Sequence, residues 1–238
     1  MEKLFIVATA LVCAIVGQNA MAATIVIKNA SFEDQALPDG GFINGFGSKD
    51  WSGELASPTG PLNPLSSTFA SIPDGENIMC SATGTLGSVY QGANYQQISE
   101  SLAANTLYTL LVDVGHALDA DMADFVIEFT DGFGEDSTVF ASQTLARDSI
   151  AAGSFKTVSL TFDSVLERNS PFGIRFRTFY DPAQGNDQRL TFFDNVRLDA
   201  SPISAGAVPE PATWTMMIGG FGLVGSVMRR RRQAIKLA

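Results

Sequence analysis

The chain reads as an all-β protein, a β-sandwich carried between two targeting segments. Three observations predict it. Apolar and polar residues alternate with a period of two, turn residues recur about every ten positions, and no segment before the C-terminal tail has a helical period.

The elements follow in order. Thr24 to Lys28 is a short β run, and Tyr95 to Ser99 is another. Thr106 to Gly115 places Tyr108, Leu110, Val112 and Val114 on one face. In Asp124 to Thr130, Phe125, Ile127 and Phe129 face inward, and Asp124, Glu128 and Thr130 face outward. Thr138 to Leu145 follows. In Ser154 to Asp163, Val158, Leu160 and Phe162 alternate with Thr157, Ser159 and Thr161. Phe172 to Tyr180 alternates Phe172, Ile174 and Phe176 with Gly173, Arg175 and Arg177, and Leu190 to Leu198 closes the domain. Residues 34 to 75 are rich in Gly, Pro and Ser and read as long loops, with one strand near Trp51.

Both ends carry addresses. Lys3, the apolar stretch Leu4 to Gly17 and the site Ala20-Met21-Ala22 predict a signal peptide over residues 1–22. The partners this implies are the Sec translocon and signal peptidase. Cys13 lies inside the apolar region after Val12, which argues against a lipid-modified cysteine and for its removal with the signal. At the other end, Trp214 to Met228 contains no charge and precedes Arg229, Arg230, Arg231 and Arg232. As a helix this run is roughly 22 Å long against a hydrocarbon layer of about 30 Å, so it spans marginally. Including residues from 212 and letting the arginines snorkel closes most of the gap. The arginines stay cytoplasmic under the positive-inside rule, which puts everything before Pro209 outside. The organisation expected is signal peptide 1–22, sandwich 23–200, linker 201–208 and tail 209–232, with a single transmembrane helix at about 212–228.

Composition narrows the partners. The chain carries 15 basic and 25 acidic residues, and residues 24 to 199 hold 9 and 23 of them, a net charge near −14. Such a surface disfavours nucleic acid and anionic lipid. Only Cys80 survives signal cleavage, so no internal disulfide is available, and Cys80 reads as a small buried residue.

Pro209-Glu210-Pro211, Trp214, the run Met216 to Gly225 and the four arginines resemble a PEP-CTERM sorting domain over roughly residues 206 to 232. The resemblance implies recognition and cutting by exosortase, a membrane protease-transpeptidase. It also implies transient holding in the membrane and release to the cell surface, often in connection with exopolysaccharide and biofilm. A second resemblance spans most of 24 to 199. It rests on Asn29-Ala30-Ser31-Phe32-Glu33, Gly40-Gly41, Trp51, Tyr95-Gln96-Gln97-Ile98, Asn105 to Leu110 and Phe193-Asp194-Asn195-Val196. The domain is similar to jelly-roll, galactose-binding-like carbohydrate-binding modules. That likeness implies that the early acid and the late Asp lie side by side and hold a structural calcium. Glu33, Asp194 and the carbonyls near Asn29 are the corresponding ligands, and calcium does take six to eight oxygens mixing carboxylates with carbonyls.

Trp51, Tyr90 and Tyr95, with Tyr180, are the aromatics available to stack on sugar faces; core packing is the competing role, and for Trp51 the favoured one. Arg175 and Arg177 share a strand face and are expected to pair with surface acids. Asp119, Asp121 and Asp124 fail the EF-hand pattern, and Asp131 to Asp136 reads as a hairpin connection. His116 is the sole histidine, and no G-x-S-x-G, H-E-x-x-H or cysteine-rich metal spacing occurs. No catalytic residue stands out. The expectation is an exported, non-catalytic protein that binds or organises extracellular polysaccharide. A surface hydrolase with paired carboxylates and a purely structural or adhesive matrix protein are the alternatives.

Overall fold

A computed structural model describes residues 22–44, 48–53, 59–83, 92–134, 136–179, 188–203 and 215–222, with 225 and 229. Among the described residues eleven strands follow one another: β1 (Ala23–Ile25), β2 (Ser52–Gly53), β3 (Thr59–Leu62), β4 (Ile78–Ala82), β5 (Ala93–Leu102), β6 (Thr106–His116), β7 (Asp124–Asp131), β8 (Thr138–Leu145), β9 (Ser154–Ser164), β10 (Arg168–Phe179) and β11 (Leu190–Pro202). They form two antiparallel sheets. One has the order β3-β4-β11-β6-β9 with β1 also paired to β11, and the other has the order β2-β5-β10-β7-β8. From β4 to β7 each strand lies in the opposite sheet to its predecessor, so the sandwich is jelly-roll-like.

Alternation fixes what faces the core. Val112 opposite Val158 and Leu110 opposite Leu160 point in from one sheet. Ile174 opposite Phe129 and Phe176 opposite Ile127 point in from the other. Burying each such side chain contributes about 1.5–3 kcal/mol. Rings contact across the gap, with Phe176 stacked on Phe193 at 4.9 Å.

A smaller apolar cluster lies on the outer face of the six-stranded sheet. Met79 opposite Phe193 belongs to the main core, so the next pair, Cys80 opposite Phe192, faces out. Phe69 covers it, together with Ile78 and Ala117. Burial pushes the Cys80 thiol up to about 12.

The chain's first and last strands meet. Ile25 pairs with Leu198, and Val196 donates its N–H to the Ala30 carbonyl at 3.0 Å. A register shift in β11 between Asp194 and Arg197 accommodates Asn195 at φ +49°. Residues 203–238 form a separate compact unit in which 215–222 is helical and exposed. Among the described residues no helix is long and apolar enough to cross a membrane. Pro209, Glu210, Pro211, Trp214 and Arg230 to Arg232 lie outside the described residues, while Arg229 is helical and exposed.

Candidate functional site

The two acids expected at the meeting of the termini do converge, and they converge on one turn. Glu33 Oε1 accepts the backbone N–H groups of Glu76 (2.8 Å) and Asn77 (2.6 Å). Asp194 Oδ2 accepts that of Asp74 (3.1 Å), and its Oδ1 accepts that of Asn195 (2.6 Å). The Asp74–Asn77 turn is therefore clamped from both sides. Asp194 is fully buried, and burial pushes its carboxyl up to about 8, with Asp74 and Asp113 adding to the rise and the two N–H bonds opposing it. The nearby guanidinium of Arg197 is directed to Asp113 (3.3 Å).

Asn29, the third ligand the resemblance implies, is hydrogen-bonded to the loop that carries Ser48 and Lys49. Its side-chain nitrogen donates to Ser48 Oγ and the Lys49 carbonyl, and its Oδ1 accepts the Asp34 N–H. Its carbonyl already takes the N–H groups of Phe32 (3.2 Å) and the Trp51 indole (3.0 Å). Asn29 stands at φ +46°, a left-handed position its short amide tolerates, and acts as a clamp for the loop. The oxygens left near the turn are hard donors of the kind calcium takes. Among the described residues no group of three or more His, Cys, Asp or Glu side chains is arranged to hold a metal. A cation here would rest on two carboxylates and backbone carbonyls.

Trp51 is a core residue, the role favoured for it from the sequence, and so leaves the sugar-stacking candidates. It is buried between Phe32 (5.3 Å) and Phe176 (5.4 Å), with its indole N–H on the carbonyls of Lys28 and Asn29. No ring face remains for a ligand. Tyr90 and Tyr180 lie outside the described residues.

Tyr95 is placed differently. It is half-buried on the outer face of the five-stranded sheet, opposite Arg175, which is in turn opposite Glu128. Phe133, from the β7–β8 connection, meets Tyr95 edge-on at 4.8 Å and is 53% exposed. Beneath the pair lies a buried charge cluster. Arg175 Nε donates to Glu128 Oε2 at 2.6 Å, while Arg177 donates to Oε2 at 3.1 Å and to Oε1 at 2.7 Å. Arg175 and Glu128 are almost wholly buried, and Arg177 is partly exposed with its guanidinium 5.5 Å from the Phe179 ring. The two arginines thus pair with an acid, but a buried one rather than a surface one. Glu128, Arg175 and Arg177 were visible as outward positions of alternating strands. Phe133 was not, because a lone aromatic in a Gly-rich turn carries no periodic signal.

The sole histidine is engaged elsewhere. The Nδ1 of His116 bonds the Ile150 carbonyl at 2.9 Å. Two open grooves, of about 340 and 370 Å³, flank the 62–66 loop.

Comparison with known proteins places both parts of the chain. Residues 207–232 match the PEP-CTERM protein-sorting motif, so this is an exported protein with a C-terminal sorting tail. No protein of curated function matches the chain. An apo cyclase from Fischerella sp. is similar at 25% identity and a TM-score of 0.63, covering 77% of this chain and 98% of its own. The Stig cyclase Fisc from Fischerella sp. TAU, solved with (3Z)-3-(1-methyl-2-pyrrolidinylidene)-3H-indole, is similar at 25% identity and a TM-score of 0.62, over 76% and 99% of the two chains. A cyclase from the same source, solved with 4-(1H-indol-3-yl)butan-2-one, gives 25% identity and a TM-score of 0.61, over 77% and 100%. Residues 23–199, the whole sandwich, match the family model described as HpiC1 cyclase, and on that match the chain belongs to the HpiC1-like family.

Proposed function

We propose that the exported domain is a surface binding module that takes extracellular polysaccharide on the outer face of its five-stranded sheet and leaves it chemically unchanged. The observation that carries this reading is the pair of half-buried Tyr95 and exposed Phe133, set beside a carboxylate that is already spoken for. Exposed rings cover the C–H faces of sugars, and fixed polar groups alongside take hydroxyls. Acid–base chemistry needs a carboxyl within reach of the ligand. Both oxygens of Glu128 are held by guanidinium donors, and Asp124, at the start of β7, accepts the Arg147 N–H at 2.9 Å. A glycosidase requires two acids flanking the bond, and the described residues offer no such pair on this face.

A bound calcium would supply the positive charge that the buried Asp194 lacks, held by Glu33 and Asp194 with neighbouring backbone carbonyls. Its work would be to fix the Asp74–Asn77 turn and the junction of the first and last strands. Exosortase would cut the tail after export by the signal peptide, releasing the module to the surface or matrix.

Membership of a family named for a cyclase favours a second reading, a small-molecule cyclase. One experiment separates the two. The purified protein is tested against a neutral β-glucan, a galactan and alginate, and separately against 4-(1H-indol-3-yl)butan-2-one, each with calcium and with chelator. Retention by a polysaccharide without released sugar, lost in Tyr95→Ala, is the expected result. Binding or turnover of the indole compound with no polysaccharide retained sinks the binding module in favour of the cyclase.

A further inference from the structure

We propose that Gly173 is a positioning residue for this face: its missing side chain seats the Gly132–Gly134 strap across β10 and thereby holds Phe133 against Tyr95. Gly173 lies within a central strand, where glycine packs nothing and costs about 0.5–1 kcal/mol relative to alanine. Such a position is explained by close approach of another backbone. Here a Cβ would overlap the Gly132 carbonyl oxygen and come within 2.5 Å of Thr130 Oγ1. A backbone carbonyl cannot swing aside as a side-chain end can, so any other residue must displace the strap.

The strap is tied on both sides of this seat. Thr130, directly opposite Gly173, donates its hydroxyl to the Gly132 carbonyl at 3.3 Å. Arg175 Nη1 donates to the Gly134 carbonyl at 3.1 Å. Positive φ at Gly132 (+86°) and Gly134 (+105°) lets the segment turn back over the sheet. It leaves β7, passes over β10 and delivers Phe133 to Tyr95 on β5, two strands away. These ties do not serve to bury Phe133, which stays 53% exposed. They fix an exposed ring in a set orientation, which suits a surface that meets a flat ligand. The ligand part rests on the reading of this face as the binding site; the seating of the strap does not.

The test is a double-mutant cycle read on Tyr95 itself. The protein is labelled with 3-fluorotyrosine, and the Tyr95 resonance is assigned through Tyr95→Phe. Phe133→Ala removes the ring current and shifts that resonance. Gly173→Ala is expected to shift it in the same direction and to add nothing in the Phe133→Ala background. An unchanged resonance in Gly173→Ala, or additive shifts, overturns the proposal. Should Gly173→Ala fail to fold, Thr130→Ala unties the same carbonyl and must move the resonance the same way; no movement overturns it equally. Binding of the β-glucan, galactan and alginate is measured in parallel. Weakening by Gly173→Ala equal to that by Phe133→Ala extends the proposal to ligand positioning. Shifts that follow the cycle with no change in binding keep the seat and sink the binding face.

Discussion

Single residues at the junction of the termini carry the clearest chemistry. Asp194 has its carboxyl raised to about 8 chiefly by burial, with Asp74 and Asp113 contributing and Arg197 turned to Asp113. In the unfolded chain an aspartate releases its proton near pH 4. Between about pH 4 and about pH 8 the folded state therefore binds more protons than the unfolded state, and stability falls as pH rises through that window. Thermal melts in chelator should show this fall for the wild type and lose it in Asp194→Asn. The calcium proposed for this site would flatten the wild-type slope, because a bound cation lets the carboxylate ionise in place. A melt that is level across the window in chelator would remove the raised carboxyl from the account. Trp51, flanked by Asp50 and Ser52, takes the core role favoured for it: its indole lies between Phe32 and Phe176.

At the scale of elements, the β7–β10 pair binds packing and charge together. Its inner side is a row of phenylalanine and isoleucine, and its outer side holds Glu128 between two guanidinium groups. Removing one partner of a buried ion pair strands the other, at a cost of about 3–5 kcal/mol. Glu128→Ala should lose about that much stability in chemical denaturation, because Arg175 has almost no exposure. A loss within the range of an ordinary surface substitution would show that solvent reaches Arg175. Strands such as β6, β7, β9 and β10 were legible because one face is apolar and the other polar. β3 and β4 were not. β4 is buried on both faces, which erases the alternation, and β3 carries Gly60-Pro61 within a segment that reads as loop.

For the whole molecule, the decisive question is what remains after export. The sorting tail predicts that the protein recovered from the cell surface has lost the segment after Pro209-Glu210-Pro211. Intact-mass measurement checks this directly. A recovered protein that retains Arg229 and the residues beyond it would mean an anchor rather than a temporary hold. After the cut proposed above, what remains is an acidic sandwich whose proposed binding face is organised around rings and arginines.

The amino-acid sequence by itself determined the sandwich, its main strands and its destination. Alternation along a strand and a linear sorting motif are local properties, read within a few residues without reference to the fold. It also named Glu33 and Asp194 through a family resemblance, and Tyr95 as one of the aromatics available to stack on sugar. Only the tertiary structure decided what these residues do. It spent Asn29 on the loop, buried Trp51, set both acids on one turn, and brought Phe133 over Gly173 to Tyr95. The placing of the acids and of Phe133 depends on which segments cross in space, on contacts between residues 38 to 120 positions apart in the chain, and no local pattern encodes such crossings.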